Sequence, residues 1–453
     1  MSNTALTRVD QAAHALKLGA TTAVQLTESA LTRAAQGEGP RVFTRVFTDS
    51  ALAEARASDG LRAAGLARSP LEGLPISVKD LFDIEGLPTT AGSRLLANAA
   101  PATQTAQVVQ RLRRAGAIIV GTTNMTEFAY SGLGLNPHYG TPRNVWARDE
   151  DGGRIPGGSS SGAAISVTDG MAIAAIGSDT GGSVRIPSAL NGLTGFKPTA
   201  RRVSMQGVLP LSANLDSIGP LAPSVRCCAA IDAVIAHHAL PEPQAVPLAG
   251  LRLLAPTNVV LDGMDAAVAA AWQRALARLS QAGVQITEAA VPAFGELAQI
   301  NSKGGFTAAE AWAWHRGHLE TRLAEYDPRV GTRILRGKAQ SAADYIDLLA
   351  ARQAWMAQVK SQLAPFDLLI MPTVPVVAPK IADLQANDEA YFAANGLILR
   401  NPTLINFLDG CAVSLPCHRA GEAPVGLSLA GTAGQDARLL NVALAVETLF
   451  AQT

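Results

Sequence analysis

The stretch GGRIPGGSSSGAAISVTDGMAIAAIGSDTGGSVRIPSALNGLTGFK, residues 152–197, is the most unusual part of this 453-residue chain, and the reading of the fold turns on it. Two glycine- and serine-rich runs, RIPGGSSSGAA at 154–164 and AIGSDTGGSVRIPSALNG at 175–192, flank a helical pattern at 162–171. Strand-like runs alternating with helical patterns are the signature of a sheet covered by helices. Glycines collect where the backbone needs positive φ or close approach, and successive N–H groups then point into one anion-binding concavity. The anion is either a bound phosphate or the oxyanion that develops on a carbonyl during acyl transfer. A flexible loop is the competing reading of the same residues.

Outward from this stretch the texture is consistent. Residues 5–60 read as a helical lead-in, and from about Leu71 short β-like runs such as LPISVKDLF and AIIVGTTN appear between glycines. Asp265 to Pro365 reads as helical and amphipathic, with Phe306, Trp312, Trp314 and Tyr345 among its aromatics. LLIMPTVPVVAP at 368–379 returns to strand texture, with prolines that suit an edge or a loop beside a site. AVSLPC at 412–417 and APVGLSLAG at 423–431 read as two strands joined by a turn, followed by a closing helix from about Asp436. Length alone allows about three domains, but large α/β enzymes often run as one unit. The chain is therefore read as a single domain, 1–453, with a lead-in at 1–60, a core at 61–235, a helical cap at about 265–365 and a return to the sheet at 366–453.

Composition excludes several classes. Thirty-seven Lys and Arg balance 37 Asp and Glu, so there is no cationic surplus for nucleic acid. With 48% hydrophobic and 16% charged residues a large core is available, and no apolar run reaches the ~20 residues that span a bilayer. The opening lacks the pattern of a secretory signal, and four cysteines form neither a disulfide framework nor a paired zinc motif. A cytoplasmic location is the simplest expectation, with Cys227 and Cys228 as packing residues.

Three features bear on chemistry. Gly158 to Gly162 matches G-x-S-x-G, which would make Ser160 a nucleophile, but of the histidines downstream (His237, His238, His315, His318, His418) none has a convincing setting. The phosphate-loop pattern is absent. Lys79, inside the apolar run LPISVKDLF, is snorkelling, paired with Asp80 or Asp83, or held neutral as a base. His315 and His318, with Glu310 and Glu320 nearby, lack the HExxH arrangement and read as exposed helical polar residues; no metal or other cofactor is expected.

Lys79, the GGSSSG run carrying Ser159 and the GSDTGGSVRIP run carrying Ser183 together resemble the amidase signature family of serine hydrolases. TNMTEFAYSG at 123–132, NGLTGFKPT at 191–199, LDSIGPLAPSV at 215–225, MPTVP at 371–375 and PVGLSLAG at 424–431 resemble family blocks in the family's order. The resemblance implies an α/β fold with a large mixed central β-sheet covered on both sides by helices. It also implies a triad of Ser183 as nucleophile, Ser159 as bridging serine after a cis peptide bond from Gly158, and Lys79 as base. The N–H groups of Thr180, Gly181, Gly182 and Ser183 would form the oxyanion hole. Asp179 and Arg185, which match the family pattern, read as an internal charge pair or hydrogen-bonding frame. Met125, Ser131 and Gly132 resemble the substrate-facing loop, with core packing the other reading of Met125. A proton can pass from Ser183 through Ser159 only to a neutral amine, and lowering a lysine from ~10.4 to about 7 takes ~4–5 kcal/mol, which burial can supply.

Members resembling this chain cleave linear amides, aryl acylamides, carbamates, ureas and sometimes esters. Phe306, Trp312, Trp314, Met371 and Pro372 point to a stand-alone amidase for hydrophobic or aryl amides or carbamates. The alternatives are a glutaminase subunit of a tRNA-dependent amidotransferase, a hydrolase of small urea derivatives, and a catalytically silent binding protein on the same fold. A glutamine or carboxylate substrate would want a fixed cation, for which Arg329, Arg333 and Arg400 are the candidates. A homodimer is the default expectation for assembly.

Overall fold

The apolar runs of the sequence condense into one sheet. A computed structural model describes residues 7–452, so the first residues of the helical lead-in, Ala5 and Leu6, lie outside the described residues. Eleven strands are present: β1 (Phe43–Val46), β2 (Pro75–Lys79), β3 (Ile118–Thr123), β4 (Ala174–Asp179), β5 (Thr194–Lys197), β6 (Ser217–Ala222), β7 (Arg252–Pro256), β8 (Gln285–Ala289), β9 (Leu368–Pro372), β10 (Cys411–Pro416) and β11 (Gly426–Gly431). They lie in the order β1-β3-β2-β4-β6-β5-β10-β11-β9-β7-β8. β2 runs parallel to β3 and β4, and β7 parallel to β8 and β9; the pairings from β4 through β6, β5, β10 and β11 to β9 are antiparallel, as is β1 with β3.

Every residue of β2, β3, β4 and β6 is buried, which is why PISV and IIV read as continuous apolar runs instead of alternating ones. Successive side chains of a strand point to opposite faces. Thus Leu368, Ile370, Val413, Leu427 and Leu429 pack against helices Val225–Ile235, Ala266–Gln281 and Asp436–Phe450. Leu369, Met371, Ala412 and Ala430 face helices Pro292–Ile300, Ala342–Leu363 and Asp388–Phe407. The mixed sheet is covered on both sides.

Three local readings change. β1 interrupts the helical lead-in, and its four residues are too few to display a strand period. β8 interrupts the helical region 265–365; its polar, part-exposed residues suit a sheet edge. β9 is an interior strand between β11 and β7, and its prolines are tolerated because they stand at its end and beyond. Among the described residues no helix is long and apolar enough to cross a membrane.

Candidate active site

β2 and β4 are parallel neighbours, so their C-terminal ends deliver Lys79 and the Asp179–Ser183 loop to the same edge. The 158–160 segment lies between them. It leads into the buried helix Ser161–Thr168, where a Cβ on Gly162 would come within 2.3 Å of the Val42 carbonyl oxygen, so only glycine permits the approach. Lys79 is wholly buried and its Nζ donates to Ser159 Oγ at 2.7 Å and to Ser178 Oγ at 2.8 Å. The Gly158–Ser159 peptide bond is cis.

Neither acidic neighbour in sequence pairs with Lys79. Asp80 accepts from the Thr90 hydroxyl and from Gly92 N–H, and Asp83 accepts from the Thr89 hydroxyl. Burial lowers Lys79 to about 7, against the upward pull of Asp216 and Asp179. An amine in that range exchanges its proton near neutrality, as a general base must.

The loop that carries Ser183 is held from behind. Asp179 accepts from Gly182 N–H at 2.9 Å and Val184 N–H at 3.2 Å, and forms a two-pronged ion pair with Arg185 at 2.9 and 3.0 Å, both side chains being wholly buried. Arg185 also donates to Asn406 Oδ1 and the Pro402 carbonyl, and Asn406 Nδ2 donates back to Asp179. Burial alone would raise the Asp179 carboxyl, but Arg185 outweighs it, helped by Lys197 and Asn406, and the group stays well below the usual carboxylate range. Gly182 has φ +116°, and a Cβ there would lie 2.5 Å from Pro402 Cβ. Its N–H is spent on Asp179, so it is not a free oxyanion donor, which differs from the expectation for Gly182. Among the described residues nothing accepts from Gly181 or Ser183 N–H. No hydrogen bond joins the Ser159 and Ser183 hydroxyls among the described residues; the segments are tied by Ser160 N–H to the Ser183 carbonyl at 3.3 Å.

Thr180, Gly181 and Ser183 open onto a cavity of about 200 Å³. Its far wall is Leu399, Thr403 and Phe407, spaced four apart on one face of helix Asp388–Phe407, and its roof includes Phe306, Thr307 and Arg333. Tyr130 and Ser131 complete one side. Arg333, on helix Pro328–Leu335, stacks its guanidinium 4.5 Å over the Tyr130 ring and donates to the Tyr130 carbonyl. It has no ion-pair partner among the described residues, and no Asp or Glu lines the cavity. Glu127 steadies that helix by accepting from Asp327 N–H at 2.7 Å.

Other expected residues lie elsewhere. Met125 is wholly buried away from the cavity wall and fills core, and Gly132 stands behind the wall, its N–H on Asn395 Oδ1 at 2.9 Å. Trp312 and Trp314 face away from the cavity, and Met371 is core. Arg329 pairs with Asp388, and Arg400 donates to the Asp262 carbonyl. His315 is not an exposed residue: it is 1% exposed, bonds the Tyr326 hydroxyl at 2.9 Å and packs on Phe128, and burial lowers it to about 3. Glu310 is half-buried and accepts from Ser212, Asn214 and Tyr345. No described His, Cys, Asp or Glu cluster is arranged to hold a metal.

Sequence reasoning missed Ser178, Asn406, Asn395 and Asp216. Ser178 and Asp216 sit inside quoted motifs and could have been found there. The two asparagines, on a helix with no motif, carried no signal.

The model of the amidase family matches residues 25–440. The chain belongs to the amidase signature family. It is 38% identical over 438 residues to the 2-amino-5-chloromuconic acid deaminase of Comamonas testosteroni, covering 95% of this chain and 93% of that protein. It is 36% identical over 468 residues to a glutamyl-tRNA(Gln) amidotransferase subunit from Chloroflexus aggregans, covering 95% and 94%. A solved amidase crystal structure superimposes with a TM-score of 0.87 at 32% identity, over 98% of this chain and 99% of that one. This amidase-family chain is thus a hydrolase of C–N bonds on the amidase α/β fold.

Proposed function

We propose that the chain hydrolyses small linear amides through an acyl-enzyme on Ser183, with Ser159 and neutral Lys79 as the proton relay. The observation that carries this reading is the 2.7 Å bond to Ser159, one residue from the segment tied to Ser183, from a wholly buried Lys79 that forms no salt bridge among the described residues. Ser183 Oγ attacks the carbonyl carbon as its proton passes to Ser159 and the Ser159 proton to Lys79. The oxyanion is received by the N–H groups of Gly181 and Ser183 with Thr180 beside them, a contribution of ~10²–10³ in rate per donor. The C–N bond then breaks as the relay returns the proton to the leaving nitrogen. Water, deprotonated by the same pair, splits the ester and releases the acid. The free cysteines fit a reducing cytoplasm.

For the substrate, a small, largely apolar cavity whose one charged residue among those described is Arg333 favours a short acyl chain bearing a carboxylate over a neutral aryl group. A glutamine would bring an ammonium for which the wall offers no acid. The acid named for the Comamonas relative is in keeping with this. The test is turnover of succinamate and glutaramate against glutamine, an aryl acylamide and a phenyl carbamate. The monoamides should be preferred, and Arg333→Met should raise their KM ~10- to 100-fold, the worth of a charged hydrogen bond. Better turnover of the neutral aryl substrates, unaffected by Arg333→Met, would return the assignment to an aryl amidase.

A further inference from the structure

One buried carboxylate close to Lys79 forms no ion pair among the described residues. Asp216, immediately before β6, accepts from Thr180 Oγ1 at 2.5 Å on one oxygen and from Leu211 and Ser212 N–H, each at 3.0 Å, on the other. Thr180 belongs to the nucleophile loop, and Leu211 to the cavity wall. Past them the Ser212 hydroxyl and Asn214 donate to Glu310 on helix Gly305–Arg322, the helix whose Phe306 and Thr307 roof the cavity. The 211–216 loop therefore joins the cap to the end of β4.

Resting on the Ser183–Ser159–Lys79 reading, we propose that Asp216 is a positioning residue of the reaction. Its carboxylate holds Thr180 so that the N–H groups after it face the cavity, and its charge steadies the ammonium formed when Lys79 accepts the proton. Two carboxylates act on Lys79, Asp216 and Asp179. Asp179 is already neutralised by Arg185, whereas Asp216 forms no ion pair among the described residues. Burial lifts Asp216 to about 6, opposed by the Thr180 hydroxyl and the two N–H groups, while Glu310 adds to the rise. The hydrogen bonds from Thr180 and the two N–H groups favour its charged form.

The experiment follows the second-order rate at which a fluorophosphonate labels Ser183 from about pH 5 to 9, alongside thermal unfolding, so that no substrate need be known. Asp216→Asn should slow labelling ~10-fold or more at the plateau and move the acidic limb down by ~0.5 pH unit or more, because Lys79 loses a stabilising negative charge and gives up its proton more readily. Thr180→Val, which removes the donor to Asp216, should slow labelling, and Thr180→Ser should restore the rate. Wild-type labelling by Asp216→Asn, or slowing with an unmoved limb, overturns the proposal and leaves Asp216 a structural residue. If Asp216→Asn does not fold, wild-type labelling by Thr180→Val overturns it instead. Labelling of Ser183→Ala would be a failure of the triad itself and is read separately.

Discussion

At the residue scale the site rests on a lysine whose surroundings disfavour its charge. Lys79 is lowered to about 7 in the folded chain by burial, whereas an unfolded lysine sits near ~10.4. Below about 7 it is protonated in both states and its desolvation weighs fully on folding; as pH climbs towards ~10.4 that cost is relieved. Activity should therefore fall on the acidic side of about pH 7, and a flat rate down to about pH 5 would reject a neutral-lysine base. Lys79→Met should abolish turnover while raising the thermal midpoint at pH 6, by ~1–3 kcal/mol in stability, measured by calorimetry. Ser183→Ala should remove both turnover and fluorophosphonate labelling with an unchanged unfolding midpoint.

At the scale of elements the decisive piece is the loop between β4 and helix Arg185–Leu190. Its shape depends on a positive φ at Gly182 and on the Asp179–Arg185 pair beneath it. Gly182→Ala meets both an unfavourable backbone region and Pro402, so it should cost ~2 kcal/mol or more and most of the labelling rate. Arg185→Met strands a buried carboxylate, and a loss of ~3–5 kcal/mol in chemical denaturation is expected. Helix Asp388–Phe407 contributes from the opposite direction: its 399–403–407 stripe forms the wall while Asn406 and Pro402 brace Arg185. That double duty ties the wall to the Ser183 loop, so substitutions meant to widen the cavity at Thr403 should disturb the loop less than those at Asn406, a difference that labelling rates at matched stability will read.

Across the whole molecule, the legible parts were those whose signal is local. Lys79, Ser159 and Ser183 stand in runs where glycine, apolar burial and serine occur together, and β2, β3, β10 and β11 declare themselves as short β-rich runs between turns. β1 and β8 were missed because four or five residues of mixed polarity show no period. Of the cap aromatics Phe306 does line the cavity, whereas Trp312 and Trp314 were misplaced because composition does not say which face of a helix meets the cavity. His315 looked exposed for the same reason; only the arrival of Phe128 and Tyr326 from other segments encloses it. By itself the sequence determined the family motifs, their order and the α/β class, since these depend on neighbours along the chain. The tertiary structure alone decided that Gly182 N–H meets Asp179, that Arg333 is the one charged residue lining the cavity among the described residues, and that Asp216 forms no ion pair among them. Burial, charge and cavity shape are sums over groups brought together from distant positions, and no local stretch contains them.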